Sequence, residues 1–103
     1  MTGESPDQAS LWASTLHVPE HVVHRAFPGE TVVLNLETGV YHGLNATAGA
    51  MLAELERSGT VAEAIGPLTA RLGADADVVR RDLERLCRDL LSRGLVVLAA
   101  KGS

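Results

Sequence analysis

At Asn45 the spacing of apolar residues changes from two to between three and four, which constrains the chain to strands first and helices second. From Thr15 to Leu44 apolar and polar residues alternate, as they do along half-buried strands. The predicted strands are 21–26, 31–36 and the short 40–44, with Val32, Leu34 and Leu36 on one face of the second. Pro28-Gly29 and Glu37-Thr38-Gly39 supply the turns between them. Two hairpins in succession make a three-stranded antiparallel meander, with its third strand at an edge or next to one.

After Asn45 the pattern is helical. Asn45 is a good N-cap, since its side chain can accept from a free N–H of the first turn. Ala48, Met51, Leu52 and Leu55 then mark one buried face, and Ser58-Gly59 ends the helix. Thr60-Val-Ala-Glu63 has the form of a capping box. Val61, Ala64, Ile65, Leu68 and Leu72 continue a second stripe, interrupted at Gly66-Pro67. Pro67 has no N–H to donate to the carbonyl four residues back, so the second helix is expected to be kinked or split. The third helix is capped by Asp75 or Asp77, carries its core face on Val79, Leu83, Leu86 and Leu90, and ends at Gly94. Residues 95–99 form a last extended segment.

At 103 residues this is one domain. Residues 1–14 read as a flexible tail in which Trp12 is the one candidate to fold back on an apolar surface; 15–99 form the domain, and 100–103 a short tail. With 46% apolar but only 3% aromatic residues, the core is built from Leu, Val and Ala. The net charge of −4 argues against a nucleic-acid or acidic-membrane partner. There is no apolar run of the ~20 residues needed to cross a bilayer and no signal peptide in the N-terminal sequence. A single cysteine, Cys87, fits a reducing compartment, so a cytoplasmic location is expected.

The chemistry-bearing residues form no catalytic set. His17, His21 and His24 would align on a helix, but Pro19 and Val22-Val23 favour extended backbone, which puts His21 and His24 on opposite faces. No cysteine or carboxylate cluster completes a metal site, and no metal or other cofactor is expected. Cys87 has no positioned base and reads as a small residue flanking the core. No nucleotide or nucleophile-elbow motif is present, so an enzyme is not expected. The third helix holds Arg80, Arg81, Arg85, Arg88 and Arg93, which keeps a winged-helix DNA-binding regulator as an alternative. Asp82, Glu84 and Asp89 interleave with them and would repel phosphates. The remaining candidate is the strand 40–44. It contains neither proline nor lysine to blunt an open edge, and such an edge beside an amphipathic helix can receive an extended peptide.

The run from Gly39 to Ala48, then Leu52, Thr60–Glu63, Leu90-Leu91 and Arg93-Gly-Leu-Val96, resembles the PqqD family over about residues 17–98. It looks most like the stand-alone members of lasso-peptide gene clusters, which serve as recognition elements for ribosomally made, modified peptides. The resemblance implies an α+β, winged helix-turn-helix-like fold, a three-stranded antiparallel sheet followed by three helices. It implies a non-catalytic adaptor that binds the precursor's leader peptide as an added strand. Its partners would be a separate leader peptidase of the cysteine-protease type and the ring-closing cyclase. Carried over by position, the pairing strand is Val40, Tyr41, His42, Gly43 and Leu44. The groove wall on the third helix is Val78, Val79, Asp82, Leu83, Arg85, Leu86 and Asp89. The family name also suggests a third class of function, a carrier or chaperone for a small cofactor.

Overall fold

The computed structural model describes residues 11–100. Strands β1 (Ser14–His17), β2 (Val22–Phe27), β3 (Glu30–Asn35) and β4 (Val40–Asn45) precede helix α1 (Ala46–Arg57). A 3-10 turn (Ala62–Ala64) leads into α2 (Ile65–Leu72), followed by α3 (Ala76–Ser92) and β5 (Val97–Ala100). The fold is α+β, with β2, β3 and β4 in an antiparallel sheet in that order, so β4 is an edge strand. The predicted turns hold: Gly29 and Gly39 both take positive φ, 81° and 76°, where a Cβ would be strained.

A second, two-stranded sheet pairs β1 with β5, placing Thr15 opposite Ala99 and Leu16 opposite Leu98. This joins the two ends of the domain. It corrects the expectation that the loose N-terminal tail runs to residue 14. Residues 11–13 are helical, Leu11 is only 2% exposed, and the Arg80 guanidinium lies 4.6 Å from the centre of the Trp12 ring. Burying Leu11 removes an apolar side chain from water, and Ser14 C=O accepts from Val61 N–H at 2.9 Å, so the segment is held at both levels. Ala100, assigned to the other tail, is the last residue of β5. The rest of the two expected tails, 1–10 and 101–103, lies outside the described residues.

The helices begin and end where their local chemistry dictates. Asn45 Oδ1 accepts from Ala48 N–H at 2.8 Å. The capping box closes in both directions: Thr60 N–H donates to Glu63 Oε1 at 2.8 Å, and Glu63 N–H donates to Thr60 Oγ1 at 3.3 Å. The second helix, expected to break at Gly66-Pro67, instead changes type before them: the 3-10 turn passes directly into α2, which contains both residues. Pro67 falls in the first turn of α2, where its missing N–H would have had no intrahelical partner. Gly94, with φ 72°, terminates α3.

The core lies between the inner face of the sheet and the three helices, around Val33, Leu52, Leu68, Leu83 and Leu90. β3 faces the opposite way from its most apolar side. Thr31, Val33 and Asn35 point inward and are buried, whereas Val32 and Leu34 are half-buried on the outer face and Leu36 is 56% exposed. Asn35 is tolerated inside because its Oδ1 accepts from Glu37 and Thr38 N–H, which shapes the hairpin turn.

Candidate functional site: a groove between an edge strand and the third helix

The sheet's hydrogen-bond phase determines which atoms β4 exposes. Leu36 N–H donates to His21 C=O at 2.7 Å, so Leu36 directs its peptide groups toward β2. In an antiparallel sheet such groups alternate sides along a strand. Asn35, Val33 and Thr31 therefore address β4, where their partners are Val40, His42 and Leu44. It follows that Tyr41 and Gly43 turn their N–H and C=O groups to the free edge. Together they offer two donors and two acceptors. The opposite edge is also unpaired among the described residues, but β2 carries Arg25, a charge of the kind that discourages strand addition.

Beside the free edge of β4 lies an open groove of about 420 Å³, lined by Asn45, Thr47, Ala48, Met51, Asp82, Arg85, Leu86 and Asp89. A smaller depression of about 230 Å³ continues it along β4 past Tyr41, His42, Gly43, Leu44, Asp89 and Arg93. His42 meets Arg93 at one end, and Asn45 shares the groove with Asp82 at the other, so α3 runs antiparallel to β4.

The residues singled out from the sequence divide into three groups. Tyr41, His42, Gly43, Leu44, Asp82, Arg85, Leu86 and Asp89 line the groove or its continuation. Val40 and Val78 are exposed nearby but line neither. Val79 and Leu83 lie behind the wall, 1% and 0% exposed, and are part of the core. A helix presents only a narrow stripe to any one groove, and 82, 85, 86 and 89 are that stripe. The other side of the groove comes from α1, through Thr47, Ala48 and Met51, with the cap residue Asn45. Their helical pattern identified Ala48 and Met51 as core-facing; nothing local showed that this face continues into a cleft.

The electrostatics are uneven. Arg88 is paired with Glu84 at 3.1 Å, Arg93 with Asp89 at 2.9 Å, and Arg80 covers Trp12. Asp82 and Arg85 have no ion-pair or hydrogen-bond partner among the described residues and stand in the groove with their charge available. His21 and His24 lie near Glu37 and Glu56, 3.9 and 2.9 Å away. No group of three potential metal ligands forms among the described residues. Burial pushes the Cys87 thiol up to about 12, which keeps it protonated and unreactive. No helix among the described residues is long and apolar enough to cross a membrane.

These features define a small winged-helix-like domain with an open-edged sheet and an adjoining amphipathic groove. Residues 30–96, from the start of β3 to just before β5, match the family model described as coenzyme PQQ synthesis protein D (PqqD), and the chain belongs to that family. Two solved structures share its fold. One, described as TbiB1 in complex with the TbiA(beta) leader peptide, is 30% identical with a TM-score of 0.70, over 78% of this chain and 93% of that one. The other, lasso peptide synthetase B1 complexed with the leader peptide, is 20% identical with a TM-score of 0.72, over 81% and 98%. No curated protein sequence matches the chain.

Proposed function

We propose that this protein is a non-catalytic adaptor of lasso-peptide biosynthesis, which captures the precursor's leader peptide as a fourth strand on β4. The observation that carries the reading is the free edge at Tyr41 and Gly43, which line the depression that meets the groove of α1 and α3 at Asp89. Of the two similar structures, the one sharing 30% identity is described as a leader-peptide complex, which supports the same reading.

The energetics explain why edge and groove are both needed. Four backbone hydrogen bonds contribute roughly 2–6 kcal/mol net at ~0.5–1.5 each. Micromolar affinity requires about 8 kcal/mol, and ordering a flexible peptide costs more. The difference must come from apolar side chains of the leader entering the groove over Leu44, Ala48, Met51 and Leu86, at ~1.5–3 kcal/mol each when well buried. Asp82 and Arg85 add register and encounter rate rather than bulk affinity. Once held, the leader brings its cleavage site to a leader peptidase, and then the core to a cyclase, at high effective concentration. The adaptor itself breaks no bond.

The test is titration of fluorescent synthetic peptides, covering the N-terminal segments of short open reading frames next to the gene for this chain, into the native protein and an Ala48→Trp variant. Saturable binding at micromolar concentration or below is expected for the native protein. The variant, with its groove filled, should bind at least tenfold more weakly. No saturation by the native protein, or equal affinity in the two, overturns the reading.

A further inference from the structure

One linkage within the groove has no part in the capture step described above. Arg93, the C-cap of α3, donates from Nε to Asp89 Oδ1 at 2.9 Å and from Nη1 to His42 Nδ1 at 3.0 Å. Among the described residues this is the one hydrogen bond joining β4 to α3. It therefore connects the two walls between which the guest strand would lie. The peptide groups of His42 are committed to Val33 of β3, so its side chain can serve the strap without disturbing the free edge. Leu44, two residues on and so on the same face of β4, puts the strap beside the apolar floor.

The direction of donation fixes the state of the ring. A guanidinium has only donors, so this bond forms only when Nδ1 presents its lone pair, that is, with the His42 ring neutral and its proton on Nε2. A second proton would remove the acceptor and put two cations in contact. The charged or titratable groups facing His42 are Arg93 and Asp89 from α3 and Tyr41 beside it on β4. From β3 the opposite residue is Val33, flanked by Thr31 and Asn35 on the same face, none of which ionises. Asp89 is paired with Arg93 through Oδ1, so its charge is already shared with the guanidinium.

We propose, on the basis of the leader-binding reading, that His42, Arg93 and Asp89 are positioning residues. They form a strap that holds β4 and α3 at the spacing a leader strand requires, and it holds only while His42 is neutral. Leader capture thus weakens on acidification.

Titration of the labelled leader peptide at pH 7.5 and pH 5.5, with native protein, His42→Gln and Arg93→Gln, reads the effect as a ratio of affinities within each protein. Melting temperatures at both pH values keep unfolding apart from binding. The native protein should lose affinity by about threefold or more at pH 5.5, as suits a partly exposed contact, and both variants should show a ratio near one. A native ratio near one, or an undiminished ratio in His42→Gln, overturns the proposal. Nitrogen NMR of the free protein gives a second readout: a ring protonated on Nε2 in native protein and a tautomer mixture in Arg93→Gln are expected. A native ring protonated on Nδ1 overturns the strap. Absence of binding at pH 7.5 overturns the leader-binding reading instead, and the spectrum then judges the strap alone.

Discussion

Gly49 of α1 lies against Thr31 of β3 so closely that a Cβ built on it would collide with Thr31 Oγ1 and lie 3.0 Å from Thr31 Cβ. The first helix thus rests on the central strand through a contact only glycine permits, and that approach sets how deep Met51 and Ala48 sit beside β4. Gly49→Ala gains ~1 kcal/mol of helix propensity but overpacks a buried contact at a cost of ~1–3 kcal/mol. A net loss of about 1 kcal/mol is expected by denaturant titration. Adding Thr31→Ala should recover most of it, and a double variant no more stable than Gly49→Ala alone would count against this packing.

The alternation of peptide groups along β4 makes proline a directional probe. Tyr41→Pro removes an N–H that faces the free edge, so it should leave the melting temperature within a few degrees of native while weakening leader binding at least tenfold. His42→Pro removes an N–H committed to β3 and should cost ~3 kcal/mol of stability or more. A larger stability loss in Tyr41→Pro than in His42→Pro would show that the phase of the β3–β4 ladder is the reverse of that described.

Arg85 is the groove's unpaired cation. Arg85→Glu should lower the association rate of an acidic leader several-fold at low salt, and the gap should narrow as salt rises. Arg88→Glu, which alters a residue outside the groove already paired with Glu84, should change the rate less. Stopped-flow mixing across a salt series measures both, and identical behaviour would remove Arg85 from the binding surface.

Cys87 provides a test of the core. Its thiol ionises near 9.0 when exposed and is pushed up to about 12 by burial, so above pH 9 the unfolded chain releases a proton that the folded chain keeps. Fewer protons on the unfolded side means that stability falls as pH rises, by at most ~1.4 kcal/mol per pH unit from this group. Below pH 9 both states hold the proton and the contribution is constant. The stability difference between native protein and Cys87→Ala should therefore shift against the native chain from pH 9 upward. Thiol reagents should label the folded protein only at its unfolding rate.

Much of the fold is legible at the level of single turns. Asn45, the Thr60–Glu63 box, Pro67 and Gly94 act within about four residues of themselves, and each appears in the structure as its chemistry requires. The candidate site is only half legible. The strand Val40–Leu44 and the stripe Asp82, Arg85, Leu86 and Asp89 come from pattern together with family resemblance. The contribution of Thr47, Ala48 and Met51 does not, because it depends on the tilt at which α1 crosses the sheet. Val79 and Leu83 carry the same apolar signal as Leu86; which of them meets the groove depends on the rotation of α3 against its neighbours.

The sequence by itself determined where strands give way to helices and where the first helix begins and the third ends, since these follow from periodicity and capping. Tertiary structure alone decided that β1 pairs with β5, that β3 turns Val33 rather than Leu34 to the core, and that His42 reaches Arg93. The physical reason is separation along the chain. Local rules select a conformation for a few residues at a time, whereas a strand's buried face and a groove's walls are chosen by whichever packing removes the most apolar surface from water.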